Sequence, residues 1–159
     1  MTSEEHSTPT PAERAQSEDV SVRRAMAKDL STPPEVLAKL TDDLDIWVAY
    51  EAASNPSTPV ETLTLLAQDN DREFRLSVAS NPSAPPEVLT LLAEDAWAFR
   101  KAVAKNPSTP PKLLAKLAED AEAGVREKAL PRIQALRAAA RAANPEWADV
   151  SDEWLDEML

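Results

Sequence analysis

An all-α solenoid of short helix pairs is the fold that this sequence predicts, on three observations. One phrase recurs as Asn55-Pro56-Ser57-Thr58-Pro59, Asn81-Pro82-Ser83-Ala84-Pro85 and Asn106-Pro107-Ser108-Thr109-Pro110, with a truncated first copy at Asp29-Leu30-Ser31-Thr32-Pro33. Apolar columns stay in phase with the phrase. Leu37, Leu63, Leu89 and Leu114 are separated by 26, 26 and 25 residues, and Leu40, Leu66, Leu92 and Leu117 keep the same steps. Val22, Val48, Phe74, Phe99 and Val125 form a second column, and Ala27, Ala53, Ala79, Ala104 and Leu130 a third. Finally, neither helix within a unit is long enough to stand alone, since isolated helices below roughly 12–15 residues are marginal in water. Stacking must bury the columns, and that makes a superhelix in which each unit touches only its neighbours.

The elements follow in order. Residues 1–18, rich in Ser, Thr, Pro and Glu, read as a disordered acidic leader with little to bury. His6, the sole histidine, has no second metal ligand nearby. The repeat region covers residues 19–131, about four and a half units, and begins with the second helix of an incomplete unit at Val20–Ala27. In a full unit, Thr58, Pro59 and Glu61 have the spacing of a capping box with proline at the first helical position, and Thr32-Pro33-Pro34-Glu35 repeats it. Ala84 lacks the hydroxyl, and Lys112 replaces the glutamate. Apolar residues at 63, 66 and 67 then trace one helical face, and an acidic run such as Gln68-Asp69-Asn70-Asp71 ends it. The second helix carries Phe74, Val78 and Ala79 on one side. Asn-Pro closes it, because the residue before proline is pushed out of the helical region. After Leu130 the pattern frays. Residues 132–143 predict a capping helix with Ile133, Leu136 and Ala140 on one side and Arg137 and Arg141 exposed on another. Residues 144–159 form an acidic tail in which Trp147, Val150, Trp154, Leu155, Met158 and Leu159 make an apolar helical stripe, with Ser151 as its cap.

The run Asn-Pro-Ser-Thr-Pro-Pro-x-x-Leu, then Leu-Ala-x-Asp, then Val/Phe-Arg-x-x-Val-Ala resembles the leucine-rich repeat variant family over residues 20–131. The resemblance implies a right-handed superhelix in which a short, often 3₁₀-type helix alternates with an α-helix, and a role in protein–protein contact. The iron–sulfur cluster of one founding member needs cysteines, and this chain has none. Asp69 with Arg75, and Asp120 with Arg126, also resemble the aspartate–arginine ladder of HEAT repeats; Asp95 and Arg100 are one residue closer, and Ala49 breaks the series.

Composition bounds the function. Without cysteine there are no disulfides, thiolate metal sites or cysteine nucleophile, which fits a cytoplasmic location. One glycine among 159 residues leaves no glycine-rich phosphate loop, and no stretch is long and apolar enough to span a membrane. The net charge of −11 sits at the ends: residues 1–20 carry −4, residues 144–159 carry −6, and residues 21–143 are near neutral at −1. With no basic stripe for counterion release, nucleic acid is disfavoured.

These observations favour a non-catalytic interaction module that acts as a monomer without cofactor or metal. Its contact residues are drawn from the tail stripe and from three aromatics on the second helices. Trp47 and Tyr50 flank core position Val48, and Trp97 precedes Phe99 by two residues. The same aromatics could instead pack between units. The tail could be a free recognition peptide or an intrachain cap held by two indoles and the arginines at 132, 137 and 141. An acidic inhibitor or immunity-type protein is the alternative role. An enzyme is disfavoured, because the carboxylates recur once per unit and no unit carries a unique polar cluster.

Overall fold

The computed structural model describes residues 8–159, so the leader's first seven residues, His6 included, lie outside the described part. Among the described residues there are eleven α-helices, one 3₁₀ turn and no strand. Long helices α2 (Val20–Lys28), α4 (Ile46–Ser54), α6 (Arg72–Ser80), α8 (Trp97–Lys105) and α10 (Ala123–Ala143) alternate with short helices α3 (Pro34–Leu40), α5 (Val60–Leu66), α7 (Pro86–Leu92) and α9 (Pro111–Ala118). Each long helix packs on the next, giving one continuous layer with the short helices set against it. The Leu37, Leu63, Leu89 and Leu114 column is fully buried between the layers, as are Ala27, Ala53, Ala79 and Ala104. The short helices are α-helical; the 3₁₀ turn lies at Pro145–Trp147.

The recurring phrase stitches one unit to the one before it. Asn81 is fully buried, and its side-chain amide donates to the carbonyls of Ala53 and Asn55, both at 2.8 Å. Its Oδ1 accepts from the Ser83 amide at 2.8 Å. Asn55 does the same toward Ala27 and Asp29, and Asn106 toward Ala79 and Asn81. The serine hydroxyls repeat the step: Ser57 donates to the Leu30 carbonyl, Ser83 to that of Pro56, and Ser108 to that of Pro82. Arg132 takes over where the asparagine would recur, its guanidinium donating to the Ala104 carbonyl at 2.7 Å.

The expected caps need correction. Thr58 is not the N-cap of α5; Pro59 is, with no side-chain cap bond, and Pro33, Pro85 and Pro110 stand likewise before α3, α7 and α9. The buried Thr58 hydroxyl instead donates to the Ala52 carbonyl at the end of α4, as Thr32 does to Met26 and Thr109 to Val103. A buried hydroxyl must find an acceptor, and the carbonyls at the end of the preceding helix, each holding one backbone amide, offer a second lone pair. Ala84, equally buried, gives the Val78 carbonyl no such donor. Thr58→Ala should therefore cost about 1–3 kcal/mol, and Ala84→Thr should recover about 1 kcal/mol; urea titration checks both. A destabilising Ala84→Thr would mean that the pocket cannot accept the hydroxyl. The acidic runs lie just past the ends of α5, α7 and α9, as expected, and aspartates also begin three of the long helices. Asp19, Asp45 and Asp71 accept from first-turn amides of α2, α4 and α6.

The ladder runs between units rather than within them. Arg23 pairs with Asp43 at 2.7 Å, Arg75 with Asp95 at 3.4 Å, and Arg100 with Asp120 at 2.6 Å, while each arginine also donates to a backbone carbonyl of its own unit's loop. At the Ala49 gap the Tyr50 hydroxyl donates to Asp71 at 2.6 Å, which pushes the phenol's pKa up to about 12. The core divides near the same place: one buried cluster runs from Met26 to Ala52 and the other from Leu63 to Ile133. Hydrogen bonds from Arg100 hold the Asp120 carboxyl below its ordinary value, and Arg23 does so for Asp43. A depressed carboxyl stabilises the fold above its unfolded pKa of about 3.9 and loses that contribution as pH falls through the lower folded value. Thermal melts below about pH 4 should thus narrow the gap between the parent and Asp120→Asn.

Three terminal expectations change. The leader's end is ordered: Thr10 and Glu13 form a reciprocal capping box on α1 (Pro11–Arg14), which packs on α2. The fifth long helix and the capping segment are one helix that continues through Pro131. Leu130 therefore leaves the buried column and is 41 % exposed, while Ala129 is fully buried; Leu136 is also exposed, unlike Ile133 and Ala140. Arg137 and Arg141 are half-buried rather than exposed, because both hold carboxylates of the tail.

Candidate protein-interaction surface

The long-helix layer carries the aromatic residues. Asp45 caps α4 and so fixes Trp47 in its first turn, where the indole is 60 % exposed. Trp47 meets Tyr50 edge-on at 6.1 Å, and Tyr50 meets Phe74 of the next long helix at 4.9 Å. Tyr50 is thus tied down on both its ring and its hydroxyl, whereas Trp47 has one aromatic neighbour and an open face. Trp97 opens α8, one unit past α6, and is 52 % exposed. The structure brings Trp47 and Tyr50 together and leaves Trp97 separate.

Trp97 borders a groove of about 520 Å³ between α6 and α8. Leu76, Ala98 and Ala102 supply apolar walls, and Lys101 and Lys105 supply charge one helical turn apart. The Lys101 ammonium sits 5.7 Å from the centre of the Trp97 ring, a cation–π distance. Leu76, Lys101 and Lys105 were not expected as site residues. Their only signal in the sequence is that Leu76 and Lys101 occupy the column position of Tyr50.

The tail residues form a second group at the far end. The 3₁₀ turn and α11 (Asp152–Met158) fold back onto α9 and α10. Ser151 caps α11 by accepting from the Trp154 amide. Leu155 is fully buried. Arg137 grips Asp156 with two parallel bonds of 2.9 and 2.6 Å and also pairs with Asp152, which Arg141 shares at 2.8 Å. Lys112 pairs with Glu157. The guanidinium bonds hold the Asp152 carboxyl below its ordinary value. Trp147 and Trp154 stack edge-on at 5.3 Å; Trp147 and Val150 are half-buried, while Trp154, Met158 and Leu159 keep an exposed face. In protein carrying Trp47→Phe and Trp97→Phe, only these two indoles emit. Adding Arg137→Ala should move the emission to the red, toward free tryptophan; an unmoved maximum would mean that Leu155 with the Arg141 and Lys112 pairs holds the tail without Arg137.

Among the described residues, no group of three or more His, Cys, Asp or Glu is placed to hold a metal ion, and no helix is long and apolar enough to cross a membrane. Compared with known proteins, residues 73–132 match a family model described as the Leucine Rich Repeat Variant domain. No curated protein and no solved structure matches the chain.

Proposed function

We propose that this chain, whose residues 73–132 match the leucine-rich repeat variant domain, is a non-catalytic protein-interaction module that binds through its layer of long helices. The observation that carries this reading is the pair of exposed indoles, Trp47 and Trp97, on one layer of a rigid stack. Interface hot spots are enriched in tryptophan and tyrosine. The tail supplies a second contact: α11 is anchored by Leu155 and Arg137, and Trp154, Met158 and Leu159 face outward. The acidic-inhibitor role is less supported by this arrangement, because three of the tail's six carboxylates, Asp152, Asp156 and Glu157, already have cations of their own. Catalysis has no support in the α6–α8 groove, whose polar side chains among the described residues are Ser80, Lys101, Lys105 and Asn106, with no carboxylate.

Site-specific cross-linking tests the reading in cells that make the protein. A benzophenone side chain is placed at position 47, 97 or 154, or at 65 on the short-helix side, where Leu65 is also exposed. Discrete protein adducts from 47 and 97 but not from 65 are expected. Adducts from 65 alone would place the contact on the other layer and sink the proposal.

A further inference from the structure

We infer that the groove between α6 and α8 takes a short acidic peptide with a bulky apolar residue between its carboxylates. This rests on the interaction-module reading and names the partner's chemistry. Among the described residues every charge lining the groove is positive: Lys101 and Lys105 border it, Ser80 and Asn106 add polar side chains, and no carboxylate lines it. Neither lysine makes an ion pair among the described residues. That contrasts with Arg24 and Lys28, at the matching edge of α2, both of which are neutralised by Glu51 of α4. In a chain of net charge −11, two adjacent unpaired lysines beside an exposed indole form a local reversal of sign.

The groove's polar inventory narrows the ligand further. Asn106 spends its amide on Ala79 and Asn81, so it cannot donate to a ligand. The lysines are then the charged donors available, and they demand an anion. The Lys101 stem runs over Gly124, which keeps its ammonium on the α10 side of the groove, while Lys105 stands one turn along α8. The space between and beneath them is apolar, walled by Leu76, Ala98, Ala102 and the Trp97 ring. A carboxylate on each lysine with one large aliphatic or aromatic side chain on the indole satisfies all of these groups at once. A volume of about 520 Å³ suits a few side chains rather than a folded surface. Single-stranded nucleic acid fits less well, because a phosphate backbone needs a continuous cationic track and successive stacking rings, and here there are two lysines and one indole.

The probe is fluorescein-labelled Glu-Glu-Leu-Leu-Glu-Glu amide, titrated with the full chain at low salt and followed by anisotropy. Saturable binding is expected, weakened about tenfold or more by Lys101→Gln with Lys105→Gln, and by a similar factor by Trp97→Ala. The same double change at Lys39 and Lys116, on short helices, should leave binding within about twofold. The Gln-for-Glu and Ser-for-Leu versions of the peptide should each bind at least about tenfold more weakly. Absence of binding, or binding that ignores Lys101, Lys105 and Trp97, overturns the proposal. So does tighter binding of a thymidine decamer with the same lysine dependence, which would make the groove a nucleic-acid site. Self-association lost in the lysine double variant would also overturn it, by making a second copy's acidic tail the occupant. Failure here with cross-links still forming from position 97 would sink the peptide chemistry alone; loss of both would remove the module reading as well.

Discussion

Replacing Asn81 with alanine should destabilise the protein by about 2–5 kcal/mol, more than most single surface changes, because it breaks three bonds at once, two of them buried. The Ala53 carbonyl loses its donor, that of Asn55 keeps only the Thr58 amide, and the Ser83 amide loses its acceptor. Asn81→Asp should be at least as harmful, since it keeps the acceptor but turns both donors into a buried charge facing carbonyl oxygens. Ser83→Ala is the matched control: it removes one bond from a half-buried hydroxyl to Pro56 and should cost about 1 kcal/mol or less. Urea unfolding of the three variants ranks them. If Asn81→Ala and Ser83→Ala lost equal stability, the amide would not be the tie between units.

The second large effect is expected from Leu89→Ala, at about 2–5 kcal/mol. Leu89 is fully buried on α7 in the cluster shared with α6 and α8. Truncation removes its contacts and leaves a cavity that a stack pinned by asparagine bonds on both sides cannot collapse to fill. Thr90, next in sequence, is exposed and returns its hydroxyl to the Pro86 carbonyl on its own helix. Thr90→Ala should stay within about 0.5 kcal/mol. Equal melting temperatures for the two would mean that the helical register is misplaced.

How legible these features are in the sequence depends on the range of the interaction. The leucine and alanine columns are periodic within a unit and between units, so their burial follows from counting. The loop chemistry is readable in kind but not in partner. Asn-Pro marks a helix end, and Asn55 is indeed extended there, but nothing local says that its amide reaches back to Ala27. Thr58 shows the same limit: its spacing to Glu61 imitates a cap, yet its hydroxyl takes a carbonyl six residues upstream. Leu130 misled because the column assumes a following unit, and the chain supplies a continuing helix instead. At the candidate surface, Trp47 and Trp97 stood out as aromatics in columns where other units carry different residue types. Lys101 and Lys105 did not, since an unpaired lysine is defined by acids that are missing from its surroundings, and only a folded chain has surroundings.

The asparagine stitches run in one direction, each loop fastening to the unit before it. Pulled from its ends, such a molecule has no single clasp whose rupture frees the whole. It yields as a row of similar fasteners, each release paying out one unit of chain, roughly 26 residues at 3.3–3.6 Å apiece, or about 90 Å. Arg132 puts the odd fastener at the last junction, and the Ala49 gap puts a rung without arginine at the α4–α6 junction. A protein built this way absorbs tension as a sawtooth and can re-close one notch at a time.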